Sequence, residues 1–383
     1  LGVLDKVEAI GVRKIGADFP RPAAGEGMTH VFRFDRALTA GCTHAFQVRR
    51  DEFDQLLFDA AREAGADARD GVAVTAVDFG PDGRPTAARA RGEDGTEYTI
   101  AMRYLVDASG RDTFLGNKLK LKRRNPRHQS AALFSHFRGV ERRPGEDAGN
   151  ITIERFDEGW VWMIPLRDDV MSIGAVCSPA YLKQRKGDGE AFLLKTLQGI
   201  PTLWPRMAGA ERIAPVHATG NYSYTSTRMC GPGWTTVGDA YVFIDPIFSS
   251  GVYLGMHSAE RAAGMIDAAL REPAREAALQ RAMVRDFDRG LKEFSWFIYR
   301  FTTPVMRHLF ANPRNLFQIE QAVISMLAGD VFDNPAVVRR LRAFRMIYRF
   351  TRLSMAPRAL RDWWRRRRAH RAGFSGDTLQ TES

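Results

Sequence analysis

The sequence has no glycine fingerprint of the form GxGxxG anywhere along its 383 residues. In dinucleotide-binding folds that motif lies in an opening strand–loop–helix unit of about 30 residues. Cysteine is scarce: Cys42, Cys177 and Cys230 are odd in number and widely spaced, with no CxxC and no Cys/His ligand spacing. That excludes a disulfide scaffold and predicts a reducing, cytoplasmic setting with structural thiols. The eight histidines show no HxH or HxxxH spacing, so no metal site is predicted. No run of 18 apolar residues exists, which excludes a membrane-spanning helix. A charged-then-apolar signal segment is also missing.

What is present suits a folded chain of two or three domains. Hydrophobic residues make up 44%, enough for a sizeable core. The net charge of +11 is misleading as a whole-chain number, because residues 339–371 hold thirteen arginines against one acid, Asp362. The body is close to neutral and the C-terminal segment is basic.

Along the chain, residues 1–45 mix a short helix with strand-like pieces at Gly16–Phe19 and His30–Phe34. His44–Arg50 reads as a strand leading into a helix with Phe53, Leu56, Leu57 and Ala60 on one face. Residues 71–110 predict a β-meander with turns at Pro81-Asp82-Gly83 and Glu93-Asp94-Gly95, ending in the apolar strand that runs into Asp107 and Gly110. Residues 130–180 alternate as an antiparallel sheet should. Asp188–Gly199 and roughly 252–270 predict helices, and beyond 280 the period is helical.

Two motifs carry most of the chemistry. Trp160-Val161-Trp162-Met163-Ile164-Pro165 puts two indoles at i and i+2, on one face of a strand closed by proline. Such pairs are usually core packing. The second is Val237-Gly238-Asp239, followed by Asp245-Pro246-Ile247-Phe248-Ser249-Ser250-Gly251-Val252. An acid at a strand's end can accept hydrogen bonds from sugar-like hydroxyls. The turn after it presents backbone N–H groups at a helix start, which suit an electron-rich flavin edge or a small anion. The plain alternative is a turn and a helix cap.

At these residues the chain resembles the flavin-dependent halogenases, whose signature is Trp-x-Trp-x-Ile-Pro. The resemblance covers residues 1 to about 330 and implies an α/β (α+β) fold of the FAD-dependent monooxygenase type. Its FAD domain would be discontinuous, over 46–120 and 228–275. An inserted antiparallel substrate sheet would take 14–45 and 126–215. A C-terminal helical region is expected at 280–371 and a disordered tail at 372–383. Starting at Leu1, without the fingerprint, the chain is expected to be an N-terminally truncated member that lacks the first βαβ unit.

The resemblance also implies roles. Lys14, in Val12-Arg13-Lys14-Ile15-Gly16-Ala17-Asp18-Phe19, stands where the halogenases have their essential lysine, which hydrogen-bonds hypohalous acid or forms a haloamine. Desolvation would lower its pKa and aid either role; most lysines are simply surface groups. Trp160, Trp162, Ile164, Pro165 and Phe248 would form a wall keeping substrate from the flavin. Halide would sit on the N–H groups of Ser250 and Gly251. FAD would be held by Arg50, Asp107, Gly110, Gly238, Asp239, Pro246, Gly251 and Val252. Arg50 matches a family Val-x-Arg, although an arginine before an acid is ordinarily a surface ion pair. Phe248 replaces the glutamate of the tryptophan-type branch, which points to phenolic, pyrrole or carrier-tethered substrates.

Reduced FAD would come from a separate flavin reductase. Two other readings stay open: a monooxygenase or reductase of the same fold, and a non-catalytic flavin-fold remnant. At the C-terminus, Leu341, Phe344 and Tyr348 form an apolar stripe beside Arg342, Arg345, Arg349 and Arg352, before Trp363-Trp364 and four arginines. Besides packing on the body, such a helix suits an acidic carrier protein or an anionic membrane surface, with peripheral attachment. No nucleic-acid motif accompanies the charge. His136 and His257 are expected to be structural.

Overall fold

The computed structural model describes residues 1–20, 29–39, 41, 43–125, 130–185, 187–220, 223–311, 316–332 and 334–372, with the side chains of 311, 316 and 356–372 excepted. Cys42, residues 126–129 of the expected substrate sheet and residues 373–383 of the expected tail lie outside that set.

Residues 130–177 alternate, and they form the centre of an eight-stranded sheet. Ala131–Arg138 pairs with Val170–Cys177, that strand with Gly159–Pro165, and that one with Ile151–Phe156, all antiparallel. Ile151–Phe156 then pairs in parallel with Gly16–Pro20, which pairs antiparallel with Thr29–Arg33. One face buries Leu133, Val161, Met163 and Ile173 under the helix Gly189–Gln198. Asp188 starts that helix by accepting the N–H groups of Glu190 and Ala191 at 2.9 and 3.0 Å. The opposite face, with Phe19, Ile151, Ile153 and Trp160, turns toward the C-terminal helices.

The meander forms a separate three-stranded sheet, Val72–Phe79, Pro85–Gly92 and Glu97–Ala101. Its turns work because Gly83 and Gly95 take φ of 77° and 85°, a region only glycine enters without strain. Leu105–Asp107 pairs in parallel with Trp234–Thr236. The helix Gly251–Arg271 and the helix Glu276–Ile298 follow. Glu276, buried, accepts the Gly233 N–H at 2.7 Å and pairs with Arg84, which clasps the second helix to the meander.

The helices Pro304–Ala311, Ile319–Leu327 and Pro335–Ala372 complete the chain. The last is continuous through Ala372. Leu341, Phe344 and Tyr348 are buried as their spacing predicts, whereas Phe350 and Leu353 are 65% and 69% exposed. Phe350 and Leu353 thus lie on the solvent side of the helix, while Met355 packs against the core. No helix among the described residues is long and apolar enough to cross a membrane.

Candidate functional site

A cavity of about 500 Å³ opens between the strand Ala45–Gln47, the end of the Trp strand and the start of the helix Gly251–Arg271. Phe46, Phe53, Ile164, Leu291 and Ile298 give it an apolar wall. Its polar groups are Arg50, Asp239 and the turn from Asp245 to Val252. Asp245 fixes the turn by accepting the Ile247 N–H at 3.1 Å. Ser249 takes φ of 51°, and Ser250 precedes the helix without a side-chain cap bond. The first bond of the helix is Leu254 N–H to the Ser250 carbonyl, so the N–H groups of the preceding residues have no helical acceptor. They point a helix dipole's positive end into the cavity.

Asp239 sits in a turn entered through Gly238, whose φ is 54°. A Cβ on Gly238 would lie 3.1 Å from the Gly255 Cα, so strand and helix approach as closely as glycines permit. Asp239's main-chain oxygen accepts from the Tyr224 hydroxyl at 2.7 Å. Burial pushes its carboxyl up to about 6, against the pull of Arg111 and Arg50. Arg50 begins the helix Arg50–Glu63 and is 66% exposed, bidentate to Asp54 at 3.0 and 2.9 Å. It lines the cavity and makes the surface ion pair at once.

Trp160 and Trp162 share one face, ring centroids 5.8 Å apart. Trp162 donates to the Ser172 hydroxyl at 3.2 Å and packs against Phe134. Of this strand only Ile164 lines the cavity; Pro165 closes it in register with Met171. Phe248 is buried on the other side of the turn, edge-on to Phe301 at 5.7 Å. Phe301 contacts Phe19 and Phe310, and both contact Phe32. One aromatic cluster thus runs from the turn into the sheet.

Lys14 ends the strand Val12–Lys14, which pairs with Ala45–Gln47 rather than with the large sheet. It is half-buried, its ammonium 5.7 Å from the Phe34 ring centroid. Burial brings its pKa down to about 8. Phe34 belongs to the same core as Phe32 and Phe248.

Three expected cofactor contacts, Asp107, Gly110 and Gly238, do not line the cavity. Asp107 is buried with both oxygens engaged, accepting from Ser109 N–H at 2.9 Å and Leu115 N–H at 2.7 Å; it ties a turn to a helix. Gly110 provides φ of 60° in that turn. Sequence reading missed Gln47, Leu291 and Ile298 in the cavity wall and Phe301 and Phe310 in the cluster. The run Phe294, Phe297, Phe301 at spacings of 3 and 4 was the available signal. His257 stacks on Phe332 at 4.1 Å.

A family model described as tryptophan halogenase matches residues 19–307. The chain is 32% identical to the flavin-dependent halogenase gsfI of Penicillium aethiopicum, over 86% of this chain and 63% of that protein. It is 27% identical to the 1H-pyrrole-2-carbonyl-(peptidyl-carrier protein) chlorinase of Pseudomonas fluorescens, over 87% of this chain and 78% of the other. The solved structure of the flavin-dependent brominase Bmp2 is similar with a TM-score of 0.79 at 26% identity, over 91% and 85% of the two chains. The chain spans about three fifths of the length of the first curated relatives it matches.

Proposed function

The chain belongs to the tryptophan halogenase family, a family of FAD-dependent oxidoreductases, and from that premise we propose that it halogenates an electron-rich, phenolic substrate. The observation that carries the reading is the aromatic cluster joining Phe248, beside the cavity, to a core that also holds Phe34 under the Lys14 ammonium.

The cavity residues fit the ring and ribityl portions of FAD. An apolar wall faces a half-buried carboxylate, suited to accept from hydroxyls, and a helix N-terminus suited to an electron-rich ring edge. Asp239, Gly238, Pro246, Gly251 and Val252 would hold it, with Arg50 toward the phosphate end. Bound reduced FAD supplies the oxidising equivalents, taken from oxygen, that make halide electrophilic.

The N–H groups of Ser250 and Gly251 position halide. Trp160, Trp162 and Ile164 keep substrate off the cofactor. Lys14 Nζ, protonated below about pH 8, donates a hydrogen bond to hypohalous acid and directs it onto the ring. Phe248 offers no proton acceptor, so the leaving ring proton goes elsewhere. A flavin reductase is the expected partner. A phenolic, pyrrole or carrier-tethered aromatic is the substrate class; two relatives are by name halogenases of a carrier-bound pyrrole.

The test is mass spectrometry of an assay holding FAD, a flavin reductase, oxygen, chloride or bromide and a phenol panel. A halogen isotope pattern that disappears in Lys14→Ala is expected. Hydroxylated product without halogen would instead favour a monooxygenase.

A further inference from the structure

Arg155 is half-buried against two rings of the aromatic cluster. It lies on the strand Ile151–Phe156, on the same face as Ile151 and Ile153 and in register with Trp160. Its guanidinium carbon is 5.0 Å from the Phe301 centroid and 5.8 Å from that of Phe310. Nη1 is buried and donates no hydrogen bond.

The neighbouring charges do not answer it. Arg307 is taken up by Asp157, at 2.9 Å, and by the Phe156 carbonyl, at 2.8 Å. Glu154, next in the strand, points to the opposite face, and burial raises its carboxyl to about 7. Burial and Arg307 together lower Arg155 to about 10, so it stays charged at neutral pH. A guanidinium nitrogen shielded from water without an anion is costly, and cation–π contacts with two rings return only part of that cost. Buried donors left without a partner call for an explanation.

We propose that Arg155 is the partner for an oxyanion on the aromatic substrate, which is then taken as a phenolate or an aryl carboxylate. This rests on the halogenase reading only in calling the ligand a substrate; the binding claim stands apart from it. For a phenol the consequence is chemical as well as positional. A guanidinium beside the oxygen favours ionisation, and a phenolate ring is far more nucleophilic toward an electrophilic halogen than the phenol. Arg155 is then a specificity-determining residue, with Phe301 and Phe310 holding the ring beside it.

The experiment needs no turnover. Binding of 4-nitrophenol, 4-nitrobenzoate and nitrobenzene to the purified full chain is measured by equilibrium titration, with the nitrophenolate absorbance reporting ionisation. The expected result is that one anion binds about 10- to 100-fold more tightly than nitrobenzene. Bound nitrophenol should also ionise at a lower pH than free nitrophenol. Tighter nitrophenol identifies a phenolate, tighter nitrobenzoate a carboxylate. In Arg155→Met the preference should fall to about one, and Arg155→Lys should retain part of it.

Because Met removes an unpaired buried charge, its ligand-free melting temperature should not fall; a purely packing role for Arg155 predicts that it does. Anion preference that persists in Arg155→Met assigns the anion to another cation, such as Lys14, and overturns the proposal. So does nitrobenzene binding as tightly as both anions, or no binding of either anion. A failed halogenation assay with an intact, Arg155-dependent anion preference would sink the halogenase reading alone.

Discussion

Gly174 sets the position of the second indole. A Cβ there would lie 2.3 Å from the Trp162 ring and 2.5 Å from the Phe134 Cβ, well inside any real contact. The strand Val170–Cys177 therefore carries a glycine where its neighbours carry Ser172 and Val176, and the indole lies across the gap. Gly174→Ala is expected to destabilise the chain by about 1–3 kcal/mol and to move the indole. Thermal melting and the tryptophan emission maximum check this, and an unchanged emission spectrum with an unchanged melt would refute the packing. At this scale the sequence was legible where a residue type has few uses. The Trp pair and the helix-start turn could be placed from spacing alone. Asp107 could not: an acid followed by a glycine at a strand's end serves a cofactor or a turn equally well. In the structure its oxygens accept the N–H groups of Ser109 and Leu115, which spacing does not foretell. Arg155 was invisible for a similar reason, since its meaning comes from Phe301 and Phe310, about 150 residues further along.

Among elements, the helix Glu276–Ile298 joins the parts of the molecule. Its first turn places Glu276 under Arg84 of the meander and under the Gly233 N–H. One turn later Gln280 donates to the Tyr104 hydroxyl at 2.9 Å and to the Gly231 carbonyl at 2.8 Å. Its far end delivers Phe294 and Phe297 to the core. Glu276→Ala would strand a buried N–H and a guanidinium, at a cost of about 2–3 kcal/mol. Glu276→Gln keeps the acceptor for Gly233 and should cost less. Chemical denaturation compares the two; equal losses would show that the Arg84 charge, not the Gly233 bond, matters. Periodicity alone predicted these helices and the meander. It could not predict which strands pair, because the parallel register of Ile151–Phe156 with Gly16–Pro20 joins residues 134 positions apart, such as Ala17 and Ile151. The basic helix shows the same limit. Its apolar stripe was plain, but not that Arg345 would leave the solvated face to pair with Glu293 at 2.7 Å.

Over the whole molecule, two buried carboxylates, Asp18 and Glu154, share the face of the large sheet opposite Trp160. Asp18 is fully buried, accepting from Asn150 at 3.1 Å, with the Arg143 Nε 3.2 Å from its other oxygen but out of hydrogen-bonding geometry. Arg206 and Asp147 lie further off. Burial outweighs Arg143 and raises the Asp18 carboxyl to about 6. Glu154, two residues beyond the Thr152 that pairs with Asp18, is raised to about 7 by the same cause. A carboxyl whose pKa is higher folded than unfolded binds its proton more tightly in the folded chain. Its stabilising contribution is complete below the unfolded value and is lost as pH rises through the folded one. For Asp18 that window runs from about 4 to 6 and for Glu154 from about 4.5 to 7. Raising the pH from 5 to 7 should therefore cost on the order of 1–2 kcal/mol for each group. Lys14, lowered to about 8, acts in the opposite sense and only above that pH, so it leaves this window untouched. Asp239, raised to about 6 from the same starting value as Asp18, adds a slope of the same sign that persists when the other two acids are replaced. Melting temperature measured from pH 5 to 7 should fall for the native chain and fall less steeply in the Asp18→Asn, Glu154→Gln double variant. A slope that is the same in both would place the titrating groups elsewhere and show that the two acids are charged in the folded state.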